Sequence, residues 1–448
     1  MNVFVAWNNR VRGFHPDHLA ILRGMAWVTV FVMLGKLSGA AKEMAVAYRY
    51  GIGAEVDGYL FVLNLVSWPL ALWFGVLTMV LVPLAARLQQ EHPGELPRFR
   101  AELLGAGLGL GLLLWMAAAL LLPALIRAPW AGLTPATAAY AAEAAKGLTL
   151  LMPLGVLASL FSAWMLAAGL HANTLLEGVP ALAIAAAVML GDGGISALIW
   201  GTVAGYTLHM ACLALPLLKR RELVRPRISF SSPGWRWFWQ SFAIMLAGNA
   251  VMSLIDIVDL MFAVHLGTGV VSTLSYANRV LALLLGLGGT AVSRATLPVF
   301  ARAQHETPQH IHEVASRWVG VMLGVGALAT VMVWWLAPLA VRLLFERGAF
   351  DAANTESVAS VLRYGAVQMP FYFAALVLVS SLVSRGLYRA VAIGAAVNLL
   401  VKVGASLLLV PALGMQGIAL ATGAMYLASF AMLYWYARRI HKIKGTCA

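Results

Sequence analysis

Several ionisable residues interrupt long apolar runs in this chain: Lys36, Lys42, Glu43, Asp57, Asp256, Asp259, Arg279 and Lys402. A charge at membrane depth is costly unless it meets a partner or a wet cavity, so each marks a candidate site. Helical periodicity sorts them into faces. Lys36 and Glu43 share one face, while Lys42 and Arg49 share another about 100° away. Asp256 and Asp259 lie three apart, Asn398 and Lys402 four apart, and Arg279 follows Tyr276 and Asn278. Lys36, Lys42 and Arg279 would form a cationic cavity for an anionic group such as a diphosphate, the natural ligand of Lys and Arg. Glu43 and Asp57 complete the candidate binding set, although Asp57 equally suits fixing a short Gly-rich outer turn. The competing reading is internal pairing of Lys36 with Glu43, Asp57 with Arg49, and Asp259 with Lys402. Asp256 and Asp259 admit three roles: ligands of a coupling cation, proton carriers, or neutralisers of Lys402. An ammonium from Lys402 would occupy the place of a metal cation.

The elements that must hold these groups follow from composition. Of 448 residues 61% are hydrophobic and 11% charged, with mean hydropathy +0.84. A soluble domain is about half apolar and about a quarter charged, so a soluble enzyme, a disordered chain and a disulfide scaffold are excluded. The roughly 270 apolar residues, at about 20 per span, suffice for about a dozen transmembrane helices. Cys212 and Cys447 make no disulfide framework. No HExxH or CxxC is present, the ten His form no ligand grouping, and Gly35-Lys36-Leu37 lacks a phosphate loop's Ser/Thr. Neither a catalytic residue nor a metal or cofactor is expected. Any energy must come from an H+ or Na+ gradient, the membrane potential or the substrate's own gradient. Gly105, Gly107, Gly109 and Gly111 sit in an apolar run and predict close helix packing, not a nucleotide site.

Twelve apolar segments are predicted as spans: 25–47, 59–85, 103–126, 147–168, 179–190, 195–218, 238–264, 270–300, 318–344, 358–383, 390–410 and 417–436, the fifth being short. Lys and Arg crowd alternate loops: Arg10, Arg12 and Arg23; Arg87, Arg98 and Arg100; Lys219 to Arg236; Arg302; Arg385 and Arg389; and the tail from Arg438. The other loops hold Arg49, Arg127, Lys146 and Arg347. The positive-inside bias then puts both termini in the cytoplasm, and the +13 charge reads as a topology signal without nucleic acid as a partner. The polar and basic segment from Asn8 to Arg23 is expected to be a cytoplasmic lead-in to the first span and not a cleavable signal sequence.

An internal repeat is visible. Pro83, Arg87, Gln89 and Glu91 are echoed by Pro298, Arg302, Gln304 and Glu306, and Gly51-Ile52-Gly53 by Gly267-Thr268-Gly269. Two six-span halves share one orientation, a known transporter plan with the substrate site between them. The expected organisation is an all-α integral membrane protein with two parallel six-helix lobes around a central cavity. It comprises a cytoplasmic segment 1–24, lobes 25–218 and 238–437, a basic and aromatic interfacial linker 219–237, and a basic tail 438–448.

Three stretches resemble the MurJ/MviN lipid-flippase family of the multidrug/oligosaccharidyl-lipid/polysaccharide exporter superfamily. They are Lys36 to Asp57, with Gly39, Lys42, Glu43 and Gly51-Ile52-Gly53; Ser275-Tyr276-Ala277-Asn278-Arg279; and Leu344-Phe345-Glu346-Arg347-Gly348-Ala349-Phe350-Asp351. The resemblance implies that Lys36, Lys42 and Arg279 hold substrate and that Asp57 matches the family's acidic residue. It implies a multi-pass bacterial inner-membrane flippase, which moves a polyprenyl-diphosphate-linked saccharide to the outer leaflet by alternating access. The cargo would be the peptidoglycan precursor lipid II or a related exopolysaccharide or antigen unit. Membrane lipids and the cell-wall or polysaccharide synthesis machinery are the expected partners. Glu346, Arg347 and Asp351 would form an outer gate, or equally a self-paired turn. The chain departs from the family in the second span, where 69–75 carries no charge, and at Ala282, where an acid is usual. A drug/cation antiporter of the same superfamily is the alternative, disfavoured by positive charge in the first and eighth spans. A non-transporting scaffold for polysaccharide synthesis is a third.

Overall fold

The computed structural model describes residues 16–92, 94–168, 170, 173–220, 222–303, 308–384 and 388–445. Arg10, Arg12, Gln304, Glu306 and Arg385 lie outside them, as do the side chains of Arg23, Arg302, Arg389, Lys442 and Lys444. The described chain is predominantly helical, with no strand among the described residues. That is the form apolar sequence must take where lipid offers no hydrogen bonds to the backbone.

In chain order the helices are α1 Pro16–Tyr50, α2 Ala54–Glu91, α3 Leu96–Arg127, α4 Pro135–Leu148, α5 Leu151–Ala167, α6 Asn173–Leu176, α7 Val179–Leu190 and α8 Ile195–Lys219. They continue as α9 Gly234–His265, α10 Val270–Ala303, α11 Pro308–Phe345, α12 Ala352–Ala366, α13 Met369–Ser384, α14 Tyr388–Leu413 and α15 Met415–Gly445. Each predicted span falls on one helix or on a bent pair. Among the described residues, eight helices are long and apolar enough to cross a membrane, and the pairs α4–α5 (48°) and α12–α13 (41°) raise the number to ten. The described residues thus account for up to ten of the expected twelve spans on length and composition. The helix α7, with 12 residues, is about 18 Å long against a hydrocarbon core of about 30 Å. The helix α1 carries Lys36, Lys42, Glu43 and Arg49 in its second half.

Proline places the two bends. Pro153 and Pro370 sit in the first turn after each break, where a ring and a missing N–H oppose continuation of the helix. The carbonyl of Ala366, which a residue at 370 would normally bond, accepts instead from Thr330 Oγ1 at 2.9 Å. Each bend is overlaid by a glycine. A Cβ on Gly111 would lie 2.8 Å from Pro153 Cα, and one on Gly326 would lie 2.4 Å from Pro370 Cα. The two glycines stand 215 residues apart and the two prolines 217, so the repeat read in the sequence recurs as a packing device. Gly326→Ala is expected to destabilise by about 1–3 kcal/mol in a detergent melt, because backbone cannot yield as a side chain can. Gly324→Ala, which meets open space, should be neutral or stabilising by up to about 1 kcal/mol.

By packing the chain forms two compact units, each discontinuous in sequence: Met1–Val46, Trp73–Ala118 and Gly147–Phe242 in one, Ala47–Leu72, Ala119–Lys146 and Ala243–Ala448 in the other. In the first, α8 packs on α5 and α7. In the second, α10 to α13 and α15 form a contiguous cluster, with α14 laid along α15.

Candidate functional site

Within the second unit, a cavity of about 480 Å³ opens between α2, α9 and α10. Its lining follows helical periodicity. Asn64, Ser67, Trp68 and Ala71 come from α2, Ser253, Asp256, Leu260 and Ala263 from α9, and Val271, Ser275, Asn278 and Ala282 from α10, with Asp259 and Arg279 alongside. Asn278, Arg279 and Asp256 are exposed towards it. Trp68 Nε1 donates to Ser253 Oγ at 2.9 Å, tying α2 to α9.

Behind this lining lies Lys402 of α14, fully buried, with its Nζ 2.5 Å from Asp259 Oδ1. That contact is an ion pair without hydrogen-bond alignment at Oδ1. The ammonium donates to the Ile418 carbonyl at 3.0 Å and to Thr422 Oγ1 at 2.6 Å. One turn away, Asn398 is buried and its Oδ1 has no donor among the described residues. Of the candidate pairings, Asp259 with Lys402 is thus formed. The cavity holds Arg279, Asp256 and an Asp259 already matched by Lys402, so its formal charges nearly cancel. Arg279 and the two aspartates, assigned to separate roles from the sequence, share one site.

Lys36 and Lys42 belong to the first unit and do not line this cavity. Lys36 is exposed, whereas Lys42 Nζ lies 2.8 Å from Oε1 of buried Glu43. Glu43 therefore has its sequence neighbour as an ion partner, a contact that helical periodicity does not suggest.

Asp57 is 1% exposed, and its carboxylate is committed to backbone. Oδ1 accepts from Ser272 N at 2.7 Å and Oδ2 from Gly269 N, which makes Asp57 the cap of the α10 N-terminus. A carboxylate there satisfies orphan N–H groups and meets the positive end of the helix dipole. Its place is the Gly-rich turn, not the cavity.

The turn after α11 forms a backbone clasp. Ala349 N donates to the Tyr48 carbonyl at 2.8 Å. Gly348 (φ 63°) and Gly51 (φ 60°) adopt the left-handed conformation that lets the two chain segments approach so closely. Tyr276 is buried beneath, donates to the Gly51 carbonyl at 3.2 Å, and packs its ring on Phe345 and Phe350. Glu346, Arg347 and Asp351 serve the turn itself. Glu346 lies 3.5 Å from Arg342 and accepts from Thr355, Arg347 donates to the Leu343 carbonyl, and Asp351 caps α12 through Asn354 N. Among the described residues these three side chains engage their helix neighbours and not one another, and the clasp itself is the Ala349–Tyr48 backbone bond that Gly348 and Gly51 permit. Asn64, Ser67, Trp68 and Ser253 went unnoticed in the sequence, although polar residues three and four apart in apolar helices are a legible signal.

Helices of this length and apolarity make the chain a multi-pass membrane protein, and its second unit holds a cavity lined by charged and polar side chains. Solved structures share the fold. The lipid II flippase MurJ in its inward closed conformation superposes with TM-score 0.77 at 18% identity, over 92% of this chain and 87% of that one. An inward-facing multidrug resistance MATE family transporter of the MOP superfamily gives TM-score 0.77 at 16% identity, over 92% and 96%. The chain belongs to the lipid II flippase MurJ family, whose model matches residues 51–446. Among relatives, the probable lipid II flippase MurJ of Synechocystis is 25% identical over 439 residues, covering 92% of this chain and 80% of the relative. That of Rhizobium tropici is 37% identical over 165 residues, covering 34% of this chain and 29% of the relative.

Proposed function

We propose that this chain is a lipid-linked precursor flippase, moving a polyprenyl-diphosphate-linked saccharide across the bacterial inner membrane by alternating access, with both termini in the cytoplasm. The match of residues 51–446 to the flippase family carries the reading. The cavity adds a physical reason, since Arg279 is exposed in it beside Asn278 and offers a planar donor fork to a diphosphate. Lipid II is the first cargo to test, and a related lipid-linked glycan is the second. An antiporter for cationic drugs would want a net acidic cavity, and the pairing of Asp259 with Lys402 speaks against one. The same pairing supports transport that does not depend on sodium, because an ammonium already sits among the oxygens a soluble cation would need. Membrane potential or protons, with Asp256 as the exposed acid, are then the energy sources to examine.

The test is complementation of a bacterium depleted of its lipid II flippase, with membrane insertion measured separately. Wild type is expected to restore growth. Arg279→Ala should lower transport by about 10- to 150-fold, the loss of a charge-assisted contact of about 1.5–3 kcal/mol. An inserted wild-type chain that fails to rescue would sink lipid II as cargo. An Arg279→Ala protein that rescues fully would remove Arg279 from the site.

A further inference from the structure

Within the first unit, residues 222–233 run without helix between α8 and α9, and three successive residues of α3 tie them down. Arg100 Nη1 donates to Glu222 at 3.1 Å, the Ala101 carbonyl accepts from Arg227 N at 2.9 Å, and Glu102 anchors the far end. Glu102 is completely buried and accepts from Ser231 Oγ, Ser232 N and Trp235 Nε1 at 3.0, 3.1 and 2.8 Å. At Gly105 the strap rests on the helix itself, where a Cβ would come within 2.3 Å of the Arg227 carbonyl. The strap is therefore held in one place.

So held, it presents an unusual surface. Ile228 is 93% exposed and Phe230 61%, while Arg225, Arg227 and Arg236 are exposed among them. Between strap and α3 lies a groove of about 350 Å³, lined by Ile228, Phe230, Trp235, Trp239 and Leu110, with Gly109 leaving its floor open. Aromatic and basic side chains together are the signature of the membrane interface, and arginines near it attract anionic headgroups.

We infer that this strap and groove form a binding site for an anionic phospholipid, its phosphate held by Arg225, Arg227 and Arg236 and one acyl chain laid over Gly109. The apolar groove admits the chain, the three arginines select the headgroup charge, and the Glu102 anchor keeps both in register. The groove shares no lining residue with the Arg279 cavity, and the site does not depend on the identity of the transported cargo.

Native mass spectrometry of the full chain, released from micelles doped with phosphatidylglycerol or with phosphatidylcholine of the same acyl chains, reads this directly. Wild type is expected to retain one phosphatidylglycerol about tenfold better than phosphatidylcholine. Arg225→Gln, Arg227→Gln and Arg236→Gln combined should erase that preference and leave the melting temperature unchanged. Gly109→Leu, whose Cβ meets no atom within 4 Å, places its side chain in the groove and should lower retention of both lipids about fivefold or more. Equal retention of the two lipids by wild type would overturn the proposal, as would undiminished retention by Gly109→Leu. Displacement of phosphatidylglycerol by stoichiometric polyprenyl diphosphate would overturn it too, by assigning the groove to the transported lipid.

Discussion

Lys402→Met is expected to destabilise the protein by about 3–5 kcal/mol, the cost of leaving one member of a buried ion pair unmatched. Methionine has nearly the length and volume of the lysine it replaces, so packing against α15 survives and the electrostatic loss is isolated. What remains is the Asp259 carboxylate in the cavity wall, with the Ile418 carbonyl and Thr422 hydroxyl deprived of the ammonium that served them. Adding Asp259→Leu should recover most of the loss, because a buried pair replaced by apolar residues of similar volume is often neutral or better. Denaturant titration in detergent, followed by tryptophan fluorescence, measures all three proteins. A single Lys402→Met variant within about 1 kcal/mol of wild type would mean that water reaches Asp259 freely. Wild-type stability should be the same in sodium and choline salts.

The second large effect is expected at the clasp. Gly348 has φ 63°, and a Cβ there would fall 2.3 Å from the Tyr48 carbonyl oxygen, which also accepts the Ala349 N–H. Gly348→Val adds left-handed strain of about 1–2 kcal/mol or more to overpacking of about 1–3 kcal/mol. The contact partner is backbone on the other chain segment, so it cannot rotate away. Opening should therefore be local: amide exchange over 47–52 and 346–351 is expected to rise at least about tenfold, while α9 and α10 keep their protection. On the function proposed above, transport should fall with it. Gly53→Ala is the control, for it meets no atom within 4 Å and lacks positive φ. Unchanged exchange at 346–351 in Gly348→Val would show that the clasp yields without cost.

Much of this molecule is legible in its sequence. Apolar length dictates helices, because lipid leaves the backbone no partner but itself. The expense of charge in lipid singles out Arg279, Asp256, Asp259 and Lys402 from residue type and apolar surroundings alone. Periodicity puts Asn398 and Lys402 on one face, and spacing reveals the repeat that reappears as Gly111 on Pro153 and Gly326 on Pro370. These properties depend on residues close in the chain or on composition alone.

The tertiary structure decided which charges meet. Helical geometry fixes which residues share a face but not which helix that face opposes. Hence the choice of Asp259 for Lys402, 143 positions away, and of backbone at Gly269 and Ser272 for Asp57, waited on packing. Lys42 with Glu43 depended on side-chain rotamers, which spacing does not encode. The clasp depended on backbone at Gly348 and Ala349 where only the neighbouring charges drew notice, because a main-chain hydrogen bond leaves no mark on residue type beyond the glycine that permits it.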